Sequence, residues 1–94
     1  MSDDQLGHDI ARGHRAQQLI DDELLKEVIE TMKSDYIKGW ANSNPAEKDG
    51  REMIYLAYQQ IGKLEQRLHS IANSGKVAQG NLDHAIKQKA LRVA

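Results

Sequence analysis

Cysteine and phenylalanine are missing from this 94-residue chain; tryptophan and proline occur once each and tyrosine three times. Without cysteine there is no disulfide to staple the fold and no thiolate to hold a metal. Four aromatic side chains leave little bulk for a core. A chain of this length hides roughly 60–65% of its unfolded surface on folding, and its stability is marginal unless something is added. The usual additions are disulfides, a metal or self-association, and of these the sequence leaves self-association open. No apolar run approaches the ~20 residues that span a bilayer. Met1-Ser2-Asp3-Asp4 is acidic, whereas an export signal begins basic and turns apolar. These features predict a cytoplasmic protein without membrane contact.

Of what is there, the clearest pattern runs from Ile54 to Ile71. Apolar residues fall at Ile54, Ala57, Ile61, Leu64, Leu68 and Ile71, in alternating steps of three and four. That spacing is the seam of a helix packed lengthwise against another. A second stripe, Leu24, Leu25, Val28, Ile29, Met32, Tyr36, Ile37 and Trp40, has the same helical period. No segment alternates with period two for long enough to make a sheet. The fold class expected is all-α, an antiparallel helical hairpin with short flanking helices, completed by oligomerisation.

The punctuation of the chain sets the boundaries. Residues 1–7 read as frayed, and a short helix is expected over 8–20. Asp21-Asp22-Glu23 places three acids where the partial positive charge of a helix N-terminus favours them, so a first long helix is expected over 21–41. Asn42-Ser43-Asn44-Pro45 interrupts the pattern, because proline biases the residue before it away from helix. Two capping signatures follow, Asn44 with Glu47 and Asp49 with Glu52. Gly50 costs about 1 kcal/mol inside a helix, which favours the later start. The linker is then 42–50 and the second long helix 51–74, with Gly75 as its stop. Gly80 argues for a break before a weaker helix over 81–93. The whole, residues 1–94, reads as a single domain. Glu30 and Lys33 stand three apart, where they can pair weakly.

Chemistry is sparsely encoded. The histidines are His8, His14, His69 and His84, and neither Glu-x-x-His pairs nor His-Glu-x-x-His occurs. Glu65 and His69 share a helix face, with His14 as a conceivable third ligand, but solvated or interface histidines account for them more simply. No serine has an elbow context, and neither Gly75 nor Gly80 opens a phosphate loop. The expectation is a protein that is not an enzyme and needs no cofactor or metal.

Two other groups stand out. Tyr36, Trp40, Tyr55 and Tyr58, with Arg51 beside them, flank the linker and would gather at the closed end of a hairpin. They read first as the large residues of a thin core. The alternative is a recognition patch, since Trp, Tyr and Arg are common hot spots. The charge is also uneven. Between Asp21 and Glu65 ten acids face six bases, while Lys76, Lys87, Lys89 and Arg92 oppose only Asp83 in the last segment. With a net charge of −1 the molecule as a whole is not drawn to nucleic acid. The basic end could still contact phosphates, without an aromatic to stack a base.

The order of these signals resembles a known group. Arg15 to Leu19 precedes the acidic turn Asp21-Asp22-Glu23-Leu24; Ile37 and Trp40 close the next helix; a short Asn/Ser/Pro/Asp linker leads to Gly50-Arg51-Glu52; and a Leu-rich helix reaches Ser74-Gly75-Lys76. Over residues 10–80 this resembles small all-helical proteins encoded among the head and DNA-packaging genes of tailed phages and prophages. The resemblance implies a non-enzymatic assembly protein, and the two apolar stripes predict a hairpin that self-associates through Ile54, Ile61, Leu64, Leu68 and Ile71 facing Leu25, Val28, Ile29 and Met32, part of that surface closing the hairpin and the rest meeting another subunit. Such a protein acts in the host cytoplasm or the virion, among other structural or packaging proteins. Two alternatives are a small-terminase-like adaptor holding DNA through its basic tail, and a phage inhibitor of a host defence or regulatory protein.

Overall fold

The computed structural model describes residues 2–93, and they are helical almost throughout. Three helices follow one another: α1 (Asp3–Asp21), α2 (Glu23–Ala41) and α3 (Lys48–Val93). No strand occurs among the described residues. Where one domain is expected from length, the chain divides into two compact units. One joins the residues up to Leu19 to those from Leu68 onward, and the other is Ile20–Arg67.

Each helix start has a local cause. Of the segment 1–7 expected to be frayed, residue 1 lies outside the described residues, and residues 2–7 are ordered by a capping signature, Ser2-x-x-Gln5: the Ser2 Oγ accepts from the Gln5 N–H at 3.2 Å. Asp3 and Asp4 then occupy the first turn, where acids suit the helix dipole. At the next boundary the helix starts at Glu23, two residues later than the expected start at Asp21, which closes α1 instead. Asp22 is the single extended residue between α1 and α2, and its carboxylate accepts from the Leu25 N–H at 2.8 Å. After α2 the Ser43 hydroxyl donates to the Trp40 carbonyl at 2.6 Å, and the Asn44 side chain accepts from the Ala46 N–H at 2.9 Å. With these groups satisfied the turn closes early. The Arg51 N–H already donates to the Glu47 carbonyl, so α3 begins at Lys48 and not at 51, and the expected 42–50 linker shortens.

The larger correction lies at Gly75. No glycine has a positive φ, so Gly75 is not a left-handed cap, and α3 runs unbroken through it and through Gly80. The expected stop at 74 and separate helix over 81–93 are one continuous element. In the unit built from α1 and the later part of α3, Gly75 instead lets two backbones touch. A Cβ on Gly13 would lie 2.6 Å from the Gly75 Cα, and a Cβ on Gly75 would lie 2.7 Å from the Gly13 Cα. Ala16, Ala72 and Ala78 are buried in the same unit, with Leu6 as its one large buried side chain among the described residues. Small residues at helical spacing, Gly13-x-x-Ala16 against Ala72-x-x-Gly75-x-x-Ala78, bring the helices together by omission of side chains.

The other unit packs α2 against the first part of α3. Gly39 lies near Ile54, Trp40 near Arg51, and Lys33 pairs with Glu65. As one number falls the other rises, so the two helices run in opposite directions. Ile29 and Ile61 are its buried apolar residues. Leu25 and Ile54 are half-buried, while Val28, Met32 and Leu64 are exposed, the last at 53%. The seam expected from the sequence is therefore only partly a core within the chain. Leu68 and Ile71 leave it altogether and sit half-buried in the other unit.

Candidate aromatic groove

Every aromatic side chain of the protein lines one groove. Tyr36, Ile37 and Trp40 of α2 and Ile54, Tyr55 and Tyr58 of α3 enclose about 260 Å³ next to the turn. The sequence places them there by simple arithmetic: Tyr36 and Trp40 are one turn apart near the end of α2, and Tyr55 and Tyr58 are one turn apart near the start of α3. As the turn is short, both pairs meet. They do not form a sealed core. Trp40 is 47% exposed and Tyr55 54% exposed, and Ile37 is also open to solvent.

Arg51 completes the arrangement. Its guanidinium carbon stands 4.2 Å from the centroid of the Trp40 ring, within the range of a cation–π contact. The Arg51 Nε is sealed from solvent and has no hydrogen-bond acceptor. The planar face of the cation is thus satisfied by the ring and not by an acid. Tyr55 is held from outside the groove by Gln59, whose amide donates to its hydroxyl at 2.9 Å.

The groove contains no carboxylate, imidazole or amine among its lining residues. Its volume is below the roughly 300–1,000 Å³ typical of small-molecule sites. What it can do is receive one or two apolar side chains of a partner, with phenol groups at its edge for hydrogen bonds.

Further along the same pair of helices, Lys33 bridges to Glu65, and Glu30 stands 3.8 Å from the same ammonium. The hydrogen bond to Glu65 raises the Lys33 pKa above its ordinary 10.5; burial works against this, and the charges of Glu65 and Glu30 add to it. The i,i+3 pairing expected of Glu30 and Lys33 is present, but the contact across the helices is closer. Glu65, considered beside His69 as a metal ligand, is engaged by Lys33 instead.

The basic residues do not converge. Lys76, Lys87, Lys89 and Arg92 are all exposed on α3. At about 3.6 residues per turn, Lys76 and Lys87 share one side of the helix, while Lys89 and Arg92 share nearly the opposite one. Lys76 also lines a second groove of about 270 Å³ with His14, Gln17, Gln79 and the glycine contact. That contact was missed in the sequence because Gly75 was assigned to a cap; the recurring small residues on both helices were the available signal. All four histidines are exposed, and among the described residues no three His, Asp or Glu side chains gather. No described helix is long and apolar enough to cross a membrane.

No protein-family model, curated protein or solved structure matches the chain.

Proposed function

We propose that this protein is a non-enzymatic helical assembly protein, of the kind found among the head and packaging proteins of tailed phages, and that it works by packing against further copies of itself. In this reading α2 and the first part of α3 form a hairpin, α1 flanks it, and the fold is completed between chains in the host cytoplasm.

One observation carries the proposal. Among the described residues six apolar ones are buried, three of them alanines, while fourteen large apolar side chains remain exposed. Isolated exposed leucines are ordinary, but an exposed set this much larger than the core is the pattern of an unfilled interface.

A DNA-packaging adaptor working through Lys76, Lys87, Lys89 and Arg92 has less support, since those cations point to different sides of α3. Light scattering on the eluting full chain tests the assembly reading. The expected mass is a multiple of 10.6 kDa, and a mass of one chain at high micromolar concentration overturns it.

A further inference from the structure

The aromatic groove occupies one side of the α2/α3 pair. The other side carries a second apolar surface made only of aliphatic residues. On α2, Leu24, Val28 and Met32 stand four apart, all on one flank of the row that holds buried Ile29. On α3, Met53, Leu56 and Leu64 stand on the flank of the row that holds buried Ile61. In both helices this flank precedes the buried row in the right-handed sense of the turn. Because the helices run in opposite directions, the two flanks fall on the same side of the pair. Ile37, Arg51 and Tyr55 follow the buried row and fall on the other. The Lys33–Glu65 pair sets the level at which Met32 and Leu64 stand next to one another. From there the band continues along α2 to Leu24 and along α3 to Met53, and these ends are the most exposed, at 67% and 70%.

We infer that this aliphatic band is a two-fold interface with a second copy of the chain, leaving the aromatic groove outside the contact. The inference rests on the self-assembly reading and adds its location and symmetry. The band's own members support it, since Leu24, Val28, Met32, Met53, Leu56 and Leu64 are all exposed large apolar side chains, 42–70% open, on one side of a single unit. Charge supports it too. On the band's own flank, three residues on from Met32 and Leu64, stand Asp35 on α2 and Arg67 on α3, of opposite sign, exposed, and each without an ion-pair partner among the described residues. A two-fold axis along the helices sets α2 of one copy against α3 of the other. Asp35 of each chain then lies about 6 Å along the axis from Arg67 of its mate, a distance the long arginine side chain spans, so the two-fold makes two such pairs in one self-complementary patch.

The test uses the full chain and sedimentation equilibrium. Leu64→Gln and Leu24→Gln remove apolar area from exposed positions, so helicity by circular dichroism should hold while the dissociation constant of the dimer rises at least tenfold. Asp35→Arg and Arg67→Asp should each weaken the dimer, and the two together in one chain should restore it, which a merely structural role for either charge does not produce. Trp40→Ala should leave the dimer intact. If the parent chain associates but the aliphatic variants associate equally well, or if Trp40→Ala dissociates it instead, the band is not the interface and only the present inference falls. If the parent chain is a monomer throughout, as it would be were the band reserved for a different protein, both the inference and the assembly reading fall.

Discussion

Adding one methyl group at Gly13 tests the packing of the unit built from α1 and the later part of α3. In Gly13→Ala the new Cβ arrives 2.6 Å from the Gly75 Cα, 3.2 Å from its nitrogen and 3.3 Å from the Ile71 carbonyl oxygen. All three are backbone atoms, so no side chain can swing aside. Ordinary carbon–carbon contact is about 3.5–4.0 Å, and the helices must separate by about 1 Å to reach it. Overpacking of this kind costs about 1–3 kcal/mol. Against it stands the gain in helix propensity from glycine to alanine, about 1 kcal/mol. The net expectation is a loss of about 0–2 kcal/mol, with the same loss for Gly75→Ala, whose Cβ meets the Gly13 Cα at 2.7 Å. Gly62 and Gly80 supply the control. Neither would bring a Cβ within 4 Å of anything, so alanine there should stabilise by the propensity term alone, about 0.5–1 kcal/mol. Thermal melts followed by circular dichroism, at one fixed protein concentration, resolve such changes, since 1 kcal/mol moves the midpoint of a domain this size by about 4–8 °C. Equal stabilisation by alanine at Gly13 and at Gly80 would refute the backbone contact.

Other predictions concern the α2/α3 pair. Ile61→Ala should destabilise by about 2–4 kcal/mol because Ile61 is buried, while Leu64→Ala should change the stability of the separated chain by less than about 1 kcal/mol; urea titration at low protein concentration checks both. Arg51→Met should cost about 0.5–1 kcal/mol and shift the Trp40 emission, since it removes the cation from the ring face; unchanged fluorescence would contradict the contact. Lys33 has a raised pKa in the folded chain, so its pairing with Glu65 stabilises fully below the ordinary value of 10.5 and is lost as pH rises through the higher folded value. The stability difference between the parent and Lys33→Met should therefore be flat through neutral pH and shrink in strongly alkaline buffer.

The helical class was legible because the periods of three and four are long and unbroken, and because no stretch competes with period two. The turn after α2 was legible from Asn42-Ser43-Asn44-Pro45. The flanks of the seam were not. A row such as Ile61, Leu64, Leu68 specifies a helix face, but whether its members are covered depends on how many helices share it, and here one partner covers Ile61 and leaves Leu64 open. Gly75 was misassigned because a glycine near a helix end and a glycine at a close crossing look alike until the opposing helix, with Gly13 and Ala16, is placed against it. The Ser2 cap is hard to read from sequence because the acids Asp3 and Asp4 beside it dominate the N-terminus. The gathering of Tyr36, Trp40, Tyr55 and Tyr58 followed from the short turn, yet their exposure did not: the tip has too few residues around it to bury four rings.

The most direct measurement is the molar mass of the full chain by sedimentation equilibrium, from low to high micromolar concentration. The account predicts a mass that rises to a multiple of 10.6 kDa and falls back toward one chain when Leu64 is replaced by glutamine. A single-chain mass at every concentration, for a protein whose helices are fully formed, would contradict it.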